Sequence, residues 1–269
     1  MTTPLIRAPL EHSMLARAIE SDRTYFEMGS ELEQLGGATL AWMPGLTGSP
    51  GATVIYRVDP DAIADGGAQW VERAETAMAD LGANLCRIYL DRRHERADDV
   101  LRRAGYVARD ELVFMDSVPV PSIDLTLRPV ESDTDWTKKL LFHEAADQTP
   151  DGHDNVAADW VELERRKCRD GMEAYLAELD GEVVGAVGAI WCGGFVRTKN
   201  LLVAPNRRRR GIGRGMLGGI AALSHQRGVS EQCVLAVSGE QGELLYRAVG
   251  MAMIGFQVEW SKPIAGAAR

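Results

Sequence analysis

The sequence predicts an α/β chain made of two repeated halves, each a mixed sheet flanked by helices. Two observations carry that expectation. Residues 195–226 read as an apolar, β-branched strand, a glycine-bearing turn and a helix, and a further strand, helix and strand follow at 232–238, 243–251 and 254–260. A shift of ~145 residues lays Val58 on Val203, Pro60 on Pro205, Gly66 on Gly211, Ala68 on Gly213, Gly105 on Gly250, Glu33 on Glu178 and Gly36 on Gly181. A register held that long predicts one architecture used twice, with domains at 1–120 and 121–269.

The segment 203–217, VAPNRRRRGIGRGML, is the densest in chemistry. It follows the strand FVRTKNLLV and precedes a helix with apolar spacing at Met216, Leu217, Ile220 and Leu223. Glycines at 211 and 213 let such a turn tighten and approach a ligand, and the unpaired N–H groups of the helix point at the same place. A helix start of this kind suits an anion such as a pyrophosphate. The dinucleotide fingerprint is excluded because its third glycine falls on Met216, and a Walker loop because no Gly-Lys-Ser/Thr follows. What fits is V-x-P-x-x-R-x-x-G-x-G, met by Val203, Pro205, Arg208, Gly211 and Gly213.

On these residues the sequence resembles the GNAT superfamily of N-acetyltransferases, whose acetyl-CoA loop reads Gln/Arg-x-x-Gly-x-Gly/Ala. The resemblance covers residues 125–260. LTLRPV from Leu125 takes the place of the family's first strand, and 173–191 takes that of its central hairpin, with Asp180-Gly181 as a two-residue turn. Leu245, Tyr246 and Gly250 fall on the family's Leu-Tyr helix and closing glycine. Two positions depart: Gly239 stands where a loop asparagine is usual, and Met251 where a phenylalanine is usual.

The resemblance implies a tandem acetyltransferase fold with acetyl-CoA as co-substrate and no metal. The acyl-CoA would lie along Leu201, Leu202 and Val203 and on the loop Arg208, Arg209, Arg210, Gly211, Ile212, Gly213 and Arg214. Arg208 and Arg210 would meet the pyrophosphate, and Arg207 or Arg214 the ribose phosphate. Strand N–H groups near Leu202 and Val203 would hold the oxyanion, and Tyr246 would protonate the leaving thiolate. The family's strand carboxylate is missing, since Arg197, Lys199 and Asn200 occupy those places. A base must come from Glu144, Asp147, His143, Glu173 or Glu178, or from a water chain.

The first half lacks the same equipment. Ile63 stands for Arg208, Asp61 and Asp65 for Asn206 and Arg210, and Leu101 for Tyr246. Carboxylates repel a pyrophosphate, and losing the arginine removes a charge-assisted bond worth about 2 kcal/mol. This copy is expected not to bind CoA.

Composition bounds the partners. The 269 residues are 45% hydrophobic and 26% charged, ordinary for a globular protein. A net charge of −9 and a pI near 5.2 exclude the broad basic face that nucleic acid requires, despite Arg207, Arg208, Arg209 and Arg210. The longest uncharged run is too short and glycine-rich for a membrane span, so a cytoplasmic location and no membrane partner are expected. The four cysteines show no CxxC spacing and are expected to be small buried hydrophobes.

The acceptor is read from one acidic stretch. Glu144, Asp147, Asp151, Asp154, Asp159, Glu162 and Glu164 occur with no intervening Lys or Arg, and the resemblance places this stretch in two helices that wall the acceptor site. Such a field favours a cationic amine, on a small molecule or a peptide; a solvated helix face, with Glu162 and Arg166 as an i,i+4 pair, is the other reading. The sequence leaves open a homodimer, a longer acyl donor, and a non-catalytic module that senses acyl-CoA or binds a partner.

Overall fold

The computed structural model describes residues 7–49, 51–116, 125–146 and 156–264. The chain forms two compact units, one of Met1–Leu112 with Gly255–Arg269, the other of Val113–Ile254. In the first half, α1 (Arg7–Glu27) precedes β1 (Glu31–Gln34), β2 (Thr39–Trp42), β3 (Thr53–Tyr56), α2 (Pro60–Asp80), β4 (Leu85–Leu90), α3 (Glu95–Arg103) and β5 (Val107–Asp116). The second half runs β6 (Thr126–Pro129), α4 (Asp133–Ala146), α5 (Val156–Arg169), β7 (Glu173–Leu179), β8 (Glu182–Trp191) and β9 (Phe195–Val203). A 3-10 turn at Pro205–Arg207 leads to α6 (Ile212–Gln226), β10 (Glu231–Val237), α7 (Gln241–Ala248) and β11 (Ala252–Pro263). The series strand, helix, strand, helix, strand that β3 opens is met again from β9, at an offset near ~145 residues.

The first unit orders β1-β2-β3-β4 with residues 255–263 of β11, and in the second residues 113–116 of β5 precede β10-β9-β8-β7-β6. Most of β11 thus belongs with the first half's strands, and the end of β5 with the second's. β11 lies antiparallel to β4, from Val258↔Leu90 to Pro263↔Leu85, while residues 113–116 of β5 fall in the second unit. The sequence repeat and the compact units therefore divide the chain differently, because the repeat follows chain order and the units follow sheet partners.

Local chemistry explains the elements that frame the site. Asp180 (φ 53°) and Gly181 (φ 80°) are both left-handed, as a two-residue turn between β7 and β8 demands. At the start of α4, Ser132 Oγ accepts from the Asp135 N–H at 3.2 Å and the Asp135 carboxylate accepts from the Ser132 N–H at 3.0 Å. This reciprocal cap holds the Asp135 carboxyl below its ordinary range, with Arg128 adding to the effect.

The second unit's sheet buries apolar side chains on both faces, which explains the near-continuous hydrophobic run of β8. On one face Ile212, Met216 and Ile220 of α6 pack with Tyr175, Ala177, Val187 and Val196. On the other, Trp136, Phe142 and Val161 from α4 and α5 cover Leu176 and Ala186.

Candidate acyl-CoA site

The site is built where β9 and β10 part. Their parallel register covers the first three residues of each strand, Phe195, Val196 and Arg197 against Glu231, Gln232 and Cys233. On its other edge β9 pairs with β8, but the register slips: Lys199 faces Gly188 and Leu202 faces Ala186. β9 therefore carries one extra residue, a bulge that holds Asn200 at φ 53°. Leu201, Leu202 and Val203, the stretch predicted to run along the acyl arm, lie directly after it and are half-buried.

The turn that follows places Arg208 in extended backbone, Arg209 at φ 62° and Gly211 at φ 83° as the residue preceding α6. The two glycines do different jobs. A Cβ at Gly211 would meet nothing within 4 Å, so the requirement there is the left-handed backbone. A Cβ at Gly213 would come within 3.0 Å of Leu245 Cδ2, so that glycine lets α6 approach α7. The sequence-based expectation gave both to the ligand; packing claims the second.

Arg208, Arg209, Arg210 and Arg214 are exposed around this helix start, and Arg208 Nε donates to the Val203 carbonyl at 3.4 Å. Arg207 is bound in an ion pair with Glu182. Of the two arginines considered for a ribose phosphate, Arg214 is thus the less engaged. Ile212 opens α6 with a buried side chain, and its N–H is among the first-turn donors that lack an acceptor within the helix.

Tyr246 of α7 is 8% exposed, with its ring centroid 5.8 Å from that of Phe114. Burial pushes its phenol pKa up while the nearby Arg197 guanidinium pulls it down, and burial prevails. The phenol therefore keeps its proton at neutral pH, as a proton donor must. Arg197, from the paired start of β9, is itself 1% exposed and donates to the Thr198 carbonyl at 3.0 Å. Where the family carries a loop asparagine, the Gly239 N–H donates to Glu243 at 2.7 Å, closing the start of α7 locally.

The base candidates separate by environment. Glu144 stands exposed on α4, whereas His143 on the same helix is buried. Glu173 is raised by burial but held below its ordinary pKa overall by Arg227 at 2.8 Å, the Tyr175 hydroxyl and Trp191. Glu178 is paired with Arg128 at 2.7 Å. Asp147, Asp151 and Asp154 lie outside the described residues. Glu162 makes the expected i,i+4 pair with Arg166 at 2.8 Å.

Glu164 departs from the expectation of a field open to solvent. It is fully buried, within 2.9 Å of an equally buried Lys139, and its other oxygen accepts from Asn200 Nδ2 at 2.7 Å. Sequence reasoning passed over this set. The signal was available in the spacing: Lys139 falls on the stripe of Trp136, Phe142 and Ala146, and Glu164 on that of Val161 and Cys168.

Among the described residues no group of His, Cys, Asp or Glu is arranged to hold a metal, and no helix is long and apolar enough to cross a membrane. The cysteines are free thiols; burial pushes Cys86 and Cys168 up to about 12, far from a reactive thiolate.

Residues 170–250 match the family model of the acetyltransferase (GNAT) domain. No curated protein matches the chain. Among solved structures it is similar to a functionally unknown conserved protein from Staphylococcus epidermidis, with TM-score 0.68, 12% identity and coverage of 88% of this chain and 95% of that one. A GCN5-related N-acetyltransferase from Kribbella flavida matches with TM-score 0.57 and 14% identity over 95% of each chain. A tandem GNAT protein from the clavulanic acid biosynthesis pathway matches with TM-score 0.54 and 13% identity, over 90% of this chain and 84% of that one. At these identities the likeness is one of fold.

Proposed function

We propose that the protein transfers an acetyl group from acetyl-CoA to a primary amine, and that the second half alone, residues 121–269, performs the reaction. The observation that carries this reading is the Gly211 turn: a left-handed glycine starts a helix among exposed arginines, at the open end of β9 and β10. Helix N–H groups and guanidinium donors together suit a pyrophosphate. Arg208 and Arg210 would take the pyrophosphate and Arg214 the ribose phosphate.

In the proposed reaction a neutral amine attacks the thioester carbonyl. N–H groups of Leu202 and Val203 stabilise the developing oxyanion, and the C–S bond breaks as Tyr246 delivers its proton to the departing sulfur. Glu144 is the proposed base, since Glu173 and Glu178 are already held by arginines. The acceptor is a cationic amine drawn by Glu144 and its acidic neighbours, a field that added salt would screen within about 8 Å at physiological ionic strength. In the first half, Asp61 and Asp65 stand at the corresponding positions, in the opening turns of α2, and exclude CoA.

The absence of a carboxylate on β9 favours one other reading, a module that binds acyl-CoA without turnover. Release of free thiol from acetyl-CoA, measured against polyamines, aminoglycosides, amino acids and peptide amines, separates the two. Amine-dependent release supports transfer. Tight acetyl-CoA binding with no release for any amine supports the sensor.

A further inference from the structure

We infer that Glu164 is a positioning residue, which fixes the β9 bulge through Asn200 and thereby aims the strand N–H groups that the proposed acyl transfer uses. The inference rests on that reading of the site. Three side chains from three elements meet out of solvent: Lys139 of α4, Glu164 of α5 and Asn200 of β9. Both charged groups are fully buried, at 2.9 Å. An apolar pair of similar volume is often as stable as a buried ion pair or more so, because desolvation offsets most of the attraction. Stability alone is therefore a poor reason for this set, and what it adds is a directed hydrogen bond to the side chain of one residue, Asn200.

That position is the one where β9 leaves regular geometry. Asn200 holds φ 53°, a left-handed conformation that asparagine tolerates better than most residues. The extra residue shifts the pairing between Lys199↔Gly188 and Leu202↔Ala186, which re-aims the N–H groups that follow. A bulge can slip along a strand unless something holds it. Glu164 Oε1 holds the Asn200 side-chain amide at 2.7 Å from a helix packed on the sheet, and Lys139, 2.9 Å from the other oxygen, holds that carboxylate in place.

Two variants test the role. Asn200→Gly keeps a residue at ease in the left-handed region and deletes the tether to Glu164. The double variant Lys139→Met with Glu164→Leu removes both buried charges together, so neither is left unpaired. Each should fold with a near-native melting temperature. Each should also lower kcat and kcat/KM together by ~10- to 100-fold, with KM for acetyl-CoA unchanged, as losing an aimed oxyanion donor does. Amide hydrogen exchange over residues 199–203 should rise in both variants, independently of any turnover. Wild-type kcat with unchanged exchange in these residues would overturn the inference. If the wild-type protein shows no acyl transfer, the proposed function fails by itself, and the exchange measurement still decides whether Glu164 holds the bulge.

Discussion

Residues 61–67 and 206–212 stand at matching places in the two halves, the first in the opening turns of α2 up to its kink and the second in the turn that leads into α6, and they carry opposite charge. In the second half the turn presents Arg208, Arg209 and Arg210 beside Gly211. In the first it presents Asp61 and Asp65, 65% and 71% exposed, with Arg96 paired to both. The backbone breaks in each: α2 is kinked at Gly67 (φ 51°), and α6 starts after Gly211 (φ 83°). The seams differ as well. β3 and β4 share the single register pair Ile55↔Ile88, and Phe26 of α1 packs against Tyr56 and Tyr89 beside it, at centroid distances of 5.6 and 4.8 Å. The two segments thus differ in electrostatic character, and on the proposed reading side chains rather than topology decide which half takes a phosphate.

The largest effect that would sharpen this contrast is on stability. Phe26→Ala removes a buried ring and should cost about 3–5 kcal/mol, seen as a lower urea midpoint. Calorimetric titration with acetyl-CoA should still give one site per chain, and a second equivalent site would break the comparison outright. In the second half, Tyr246→Phe should lower kcat by ~10- to 1000-fold while acetyl-CoA affinity holds. Because burial raises the Tyr246 pKa, the parent enzyme should show no alkaline loss of kcat from this group below about pH 10. Full turnover in the variant would assign Tyr246 to packing.

Smaller is the effect on the turn itself. Arg208→Ala should raise KM for acetyl-CoA by ~10- to 30-fold, the equivalent of about 2 kcal/mol, with the melting temperature unchanged. An unchanged KM would remove Arg208 from the site. The smallest effect is on pH. Burial raises the Glu259 pKa, but Arg87 and Tyr89 outweigh it and hold the group below its ordinary value. A carboxylate so lowered contributes stability above its unfolded pKa of about 4.3 and loses it as pH falls. Glu259→Gln should therefore flatten the acid limb of the stability curve, measured by urea unfolding at pH 3 to 7, and an unaltered slope would mean that the pair does not couple to folding.

Much of this was legible in the chain because short-range patterns carried it. The Asp180-Gly181 turn, the strand at 195–203 and the helix after Gly211 are set by neighbours a few residues apart, and period and turn chemistry report such elements directly. The repeat offset placed the helices and strands of the first half for the same reason. What escaped was set by residues far apart in sequence. Glu164 looked like one acid in an acidic run, since nothing local says that Lys139 and Asn200 will enclose it. The packing of Gly213 escaped too, because Leu245 lies on another helix. The Phe26 contact joins α1 to two strands that a linear reading does not bring together.

The exchange of β5 and β11 has a practical consequence for anyone cutting this chain. Severing it near residue 120 separates the sequence repeats cleanly but not the sheets: β4 is parted from β11, its antiparallel neighbour, and residues 113–116 are parted from the unit they complete. Each fragment then carries a strand edge with unmet hydrogen-bonding groups, the kind of surface on which chains aggregate. The second half should therefore be studied within the whole polypeptide, and the contribution of the first half probed by point substitution rather than by truncation.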